Sequence, residues 1–152
     1  VTPAFLFAAL LWEPVRHHWH VHQTKGIPSI PALQRAATEV ISEQVSRVAV
    51  PKRYTLDTRD IWSLQPRLDQ RQGKRAFKQL THPKFRAGYD LLLLRAETGE
   101  PVEELAKWWT QFQFANEAEQ LNLVKNLSPT ALAKGKPKAR RRRRRKPVTK
   151  TD

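Results

Sequence analysis

The chain has 152 residues, a formal net charge of +14 and no cysteine. That excludes disulfide frameworks, thiolate zinc sites and thiol catalysis, and the length suits one folded domain with chain to spare. The charge is uneven: residues 1–50 carry +1, 51–95 carry +7, 96–124 carry −5 and 125–152 carry +11, and two basic blocks of this kind point to a polyanionic partner.

Thr2-Pro3 reads as a helix start, with Thr2 as cap and Pro3 in the first turn. Ala4–Trp12 is apolar almost all round, which predicts a buried helix, ended or kinked by Pro14. The run is too short to span a bilayer and lacks the basic leader of a signal peptide. A cytoplasmic protein without membrane attachment is expected. The pattern opens at Val1 without a polar lead-in, so the chain is expected to be the C-terminal piece of a longer protein.

His17–His22 follows as HHWHVH. His18 and His22 share a helix face at i, i+4, a chelating spacing, but no third ligand stands nearby, and surface or packing histidines are the preferred reading. Gly26 and Pro28 make Thr24–Ile30 a loop. From Pro31 an amphipathic helix runs with Leu33, Ala36, Ala37, Val40, Ile41 and Val48 on its apolar stripe and Arg35, Glu39, Glu43 and Arg47 around it. Pro51 breaks that helix. Lys52, Arg53 and Arg59 add positive charge, and Ile61, Leu64 and Leu68 give the next helix its apolar face. Asp57 and Asp60 are a close carboxylate pair. Two-metal chemistry needs further acidic ligands, so Asp57 is read as a cap near a helix start, with Arg53 and Arg59 as ion-pair partners.

Arg71–Ala96 organises the rest. Arg67, Arg71, Lys74, Arg75 and Lys78 fall at i, i+4, i+7, i+8 and i+11, which on one continuous helix is a single cationic face. Ala76, Phe77 and Leu80 fall opposite. His82-Pro83 ends one helix and starts the next, whose apolar positions are Phe85, Tyr89, Leu92, Leu93 and Ala96. Lys84 and Arg86 add charge to its first turns. A packed cationic face suits a nucleic-acid backbone, although a solvated basic face has the same pattern. Phe77 and Tyr89 are of a type that stacks on bases, yet both lie on apolar stripes and are read as core.

Thr98-Gly99-Glu100-Pro101 is a turn. Val102, Leu105, Ala106, Trp109 and Phe112 then mark a buried helical stripe, with Trp108 off it as a stacking platform or a second packing contact. Glu103, Glu104, Glu117 and Glu119 turn this end away from nucleic acid. From Leu127 apolar residues run out. The tail contains Arg140, Arg141, Arg142, Arg143, Arg144 and Arg145 in succession, cannot bury enough surface to order itself, and is expected to bind nucleic acid non-specifically, with a membrane-surface or solubilising role second. No β alternation occurs. The expected fold is all-α, with about six or seven helices over 1–126 and a disordered basic tail over 127–152.

Six segments carry a family resemblance: AALLW at Ala8–Trp12, VPKR at Val50–Arg53, TRDIWSLQ at Thr58–Gln65, RQGKRAFK at Arg71–Lys78, HPKFRAGYDLLLLRAE at His82–Glu97 and KWWTQFQ at Lys107–Gln113. In order and spacing they resemble the C-terminal half of the bacterial poly(A) polymerase I family, and the arginine-rich tail is similar too. The resemblance covers Pro3 to Phe114. It implies template-independent addition of adenylates to RNA 3′ ends from ATP and Mg2+, by a catalytic head that precedes this region, with the C-terminal helices gripping RNA. The head's glycine-serine motif and Asp-x-Asp pair are absent here, so no catalytic residue carries over and no cofactor is assigned to this part. Pro66 departs from the pattern and marks a candidate kink. Two other readings stay open: a stand-alone helical nucleic-acid-binding protein with a basic tail, and a protein-interaction module that recruits an acidic partner.

Overall fold

The computed structural model describes residues 2–127. Among them are eight helices and no strand: α1 (Pro3–Leu10), α2 (Trp12–Thr24), α3 (Ser29–Arg47), α4 (Lys52–Leu68), α5 (Arg75–Leu80), α6 (Phe85–Glu97), α7 (Glu103–Phe114) and α8 (Glu117–Lys125). The fold is all-α, as expected. None of these helices is long and apolar enough to cross a membrane.

Local chemistry sets the boundaries. The Thr2 hydroxyl accepts from the Phe5 amide at 3.3 Å, and Asn116 and Glu119 form a reciprocal capping box at the start of α8. Pro14 acts a turn upstream of where it sits: lacking an N–H, it cannot donate to the Leu10 carbonyl, and α1 gives way to α2 at Leu11. That division is one source of the helix count above six or seven. Pro66 lies buried inside α4, which ends two residues later.

Two hydrophobic cores share α4 and α6. The first joins α1, α2 and α3 to Ile61, Trp62 and Leu91. The second gathers Leu68, Ala76, Phe85, Tyr89 and Leu92 against Leu105, Trp109 and Phe112 of α7. Indole N–H groups fasten the helices: Trp62 donates to the Ala8 carbonyl at 3.0 Å and Trp109 to the Leu68 carbonyl at 2.9 Å. Where α4 crosses α6 the backbone approaches closely; a Cβ on Gly88 would stand 2.8 Å from Leu64 Cδ1.

A buried polar cluster adjoins both cores. Arg95 donates through Nε to both Glu100 carboxylate oxygens at 3.2 Å and through Nη1 to Gln65 Oε1 at 3.0 Å. Trp12 Nε1 donates to Glu100 Oε2 at 2.8 Å, and Gln65 donates to the Gly88 carbonyl at 3.1 Å. Arg16 Nε also lies 3.3 Å from Glu100 Oε1, so helices α2, α4 and α6 and the α6–α7 turn converge on one carboxylate and its Arg95 partner. Burial pushes the Arg95 guanidinium below its usual pKa; Glu100 opposes the shift by charge and hydrogen bond, Asp69 by charge, and Arg16 reinforces it.

Three expectations change. The all-apolar α1 is buried on one side only, through Ala4 and Ala8, while Leu6 and Leu10 remain 51% and 75% exposed. Val48 is not on the buried stripe of α3: it is the extended residue that closes the helix and is exposed. Asp57 is not at a helix start, because Pro51 caps α4 and the helix begins at Lys52. Asp57 sits well inside it and pairs with Lys84 at 3.5 Å. Of the partners expected for it, Arg53 donates to the Tyr54 hydroxyl and Arg59 to the Thr38 hydroxyl.

Candidate nucleic-acid interface

The five cations expected on one helix face are not on one helix. Arg67 belongs to the last turn of α4, residues 69–74 form a turn, and only Arg75 and Lys78 lie on α5. Gly73 adopts φ +58°, a left-handed conformation that interrupts helical continuation and suits glycine. The cations nevertheless stay close in sequence around one corner, and Lys74, Arg75 and Lys78 all project to solvent.

Arg71 plays a different part. Its guanidinium lies 5.0 Å from the centre of the Trp108 ring, in a cation–π contact. Trp108 in turn stacks on Phe112 with centroids 4.8 Å apart. Burial pushes the Arg71 pKa below its usual value, with Asp69 opposing, and its buried Nε has no hydrogen-bond partner among the described residues. Arg71 is thus half built into the second core. The residue that sequence spacing left off the stripe, Trp108, is what holds it there.

The remaining candidates disperse. Lys52 and Arg53 are exposed at the opposite end of α4 from Arg67, roughly 20 Å away at 1.5 Å of helical rise per residue. Lys84 is drawn to Asp57, and Arg86 pairs with Asp90 at 3.4 Å. Arg59 lines a polar groove between α3 and α4 together with Arg35. Spacing alone puts Arg35 on a solvated face, and only the packing of α3 on α4 brings the two together. Arg140 to Arg145 lie outside the described residues, as does the expected disorder of that tail.

The aromatic candidates resolve as core. Tyr89 is 5% exposed and its ring stacks on Phe85. Phe77 packs edge-on against Phe112 at 5.2 Å. His18 and His22 do share a face, and both reach one carboxylate: His18 Nδ1 lies 2.7 Å and His22 Nε2 2.8 Å from the two oxygens of Glu39, tying α2 to α3.

What this corner offers is a row of exposed ammonium and guanidinium groups on a turn and short helix, braced by Arg71 against an aromatic stack. Such an array attracts phosphates by charge and counterion release and carries no base-reading geometry of its own.

Residues 25–147 match the family model described as "Polymerase A arginine-rich C-terminus". The chain belongs to this family. Similar curated proteins are named Poly(A) polymerase I. The one from Escherichia coli O6:H1 (strain CFT073) is 45% identical over 148 residues, covering 95% of this chain and 30% of that protein. Those from Salmonella typhi and Haemophilus influenzae are 45% and 42% identical over 130 and 127 residues, covering 84% and 82% of this chain and 28% of each relative. The chain thus spans less than a third of these relatives, at their C-terminal end. Within the polymerase A family match lie α3 to α8, the exposed cations and the arginine run, whereas α1 and α2 precede it.

Proposed function

We propose that this chain is the RNA-gripping C-terminal part of a template-independent poly(A) polymerase, which adds adenylates from ATP to RNA 3′ ends. The observation that carries the proposal is the 45% identity over 95% of the chain to proteins named Poly(A) polymerase I. The exposed Lys74, Arg75 and Lys78 supply a charged surface of the right sign. A cytoplasmic location and a catalytic head joined in cis are parts of the same reading. A stand-alone nucleic-acid-binding protein would lack that head.

Magnesium and ATP belong to the head in this reading. Among the described residues no group of three or more His, Cys, Asp or Glu side chains is arranged to hold a metal ion; His18 and His22 meet Glu39 as direct contacts to its two oxygens. Asp57 is drawn to Lys84, and Glu100 is buried in the Arg95 cluster. These residues do not fit a two-metal centre, so no catalytic step is assigned to them. The chain by itself is expected not to extend RNA.

The test is incubation of an RNA primer with labelled ATP and magnesium, using the chain alone and the polypeptide encoded by its uninterrupted reading frame. Extension by the longer polypeptide and none by the chain is the expected result. Extension by the chain alone would overturn the division of labour, and a reading frame without an upstream nucleotidyltransferase domain would overturn the proposal.

A further inference from the structure

An apolar groove opens where the outer side of α1 meets the C-terminal end of α3. Phe7 and Leu10 of α1 form one wall, Ile41 and Val45 of α3 the other, and Val48 and Val50 close the end. Its volume is about 200 Å³, enough for one or two large apolar side chains. Leu10, Val45 and Val48 are 75%, 49% and 58% exposed, and Leu6, one turn before Leu10, extends the same apolar face. Scattered exposed aliphatics are ordinary, whereas a contiguous set lining a concavity offers a seat for apolar side chains.

We propose that this groove is the seat of an apolar segment from the polypeptide that precedes this region in the full-length protein, so that α1 and α3 form the joint between the catalytic and RNA-gripping parts. The inference rests on the reading under Proposed function. Three observations select this occupant. The relatives extend well beyond the chain, which matches only their C-terminal 30%. The groove is walled by α1, the first helix of the chain, so preceding polypeptide enters beside it. And α1 is apolar on both sides although its own fold buries only one. A segment tethered at α1 has an effective concentration in the millimolar range, which a second copy of the chain does not reach at working concentrations.

The test uses Val45→Cys. The chain has no cysteine of its own, and Val45 is half exposed, so the variant folds with little perturbation. The rate of maleimide modification at position 45 is read by mass spectrometry of the peptide that carries it. It is compared between the isolated chain and the full-length polypeptide. Lys107→Cys, exposed on α7, is the control. At least tenfold slower modification at position 45 in the full-length protein, with equal rates at position 107, is expected. Equal rates at position 45 would overturn the proposal. So would concentration-dependent dimerisation of the isolated chain that protects the thiol at position 45, which would give the groove to a second copy. Adenylate addition by the same full-length preparation reports separately on the proposed function: activity with an unprotected thiol at position 45 removes this inference alone.

Discussion

The Arg71 guanidinium lies over the Trp108 ring at 5.0 Å, joining the turn after α4 to α7. This contact separates Arg71 from the exposed cations that neighbour it in sequence. Arg71→Ala removes the cation–π interaction and the packing of the arginine stem, and is expected to destabilise the chain by about 1–2 kcal/mol. Replacing Lys74, Arg75 and Lys78 together by glutamine should change stability by less than about 0.5 kcal/mol per position. Urea denaturation followed by circular dichroism checks both. Equal, negligible effects would place Arg71 back on a solvated face.

Arg95 and Glu100 form the second testable pair, with side chains 8% and 6% exposed. Glu100→Leu alone leaves a buried guanidinium without its counter-charge, and a loss of roughly 3–5 kcal/mol is expected. Combining it with Arg95→Met removes both charges, so the double variant should be more stable than Glu100→Leu. A thermal-melt double-mutant cycle measures this. A double variant less stable than both singles would mean that the cluster's worth lies in hydrogen bonds to Gln65 and Trp12 rather than in charge balance.

The α4–α6 crossing gives a third. Gly88→Ala adds helix propensity worth about 1 kcal/mol, but the new methyl meets Leu64 Cδ1 at 2.8 Å and its Cβ at 3.1 Å. Leu64 is fully buried, and while its Cδ1 can swing, its Cβ is held by the α4 backbone and must shift with it. Overpacking of this kind costs about 1–3 kcal/mol, so the net change should be destabilising. A raised melting temperature would show that the helices can part.

Much of this was legible in the sequence. Leu33, Ala36, Ala37 and Val40 repeat at helical spacing, and all four are buried; Leu105, Trp109 and Phe112 do the same on α7. The break at His82-Pro83 appears between α5 and α6. Spacing failed where the backbone departs from a helix. Arg67 and Lys78 are eleven residues apart, three helical turns if the helix continues, but Gly73 turns left-handed between them. Spacing also cannot see contacts between distant segments. Trp12 and Glu100 are 88 residues apart, and nothing periodic links them. Spacing reads Glu100 only as part of a turn, because its buried partners Arg95 and Trp12 lie on helices α6 and α2.

The exposed cations and the arginine-rich tail should leave different marks on RNA binding. The tail's arginines are interchangeable phosphate ligands. Truncation after Leu127 should weaken binding of all RNAs about equally and reduce the log–log salt slope by roughly 0.7 for each single-strand phosphate that the tail had neutralised. Lys74, Arg75 and Lys78 sit on a turn and helix next to Arg71, which contacts Trp108 of α7, so their charges stay gathered at one corner of the fold. Their replacement by glutamine should weaken binding of a single-stranded 3′ end more than that of a blunt duplex, because the proposed function brings a strand end to this region. Filter binding across a salt series, with both variants and both RNAs, reads the two effects. A glutamine variant that keeps its helicity and binds both RNAs as the parent does would leave this corner a solvated basic face, and the grip on RNA would then fall to other cations.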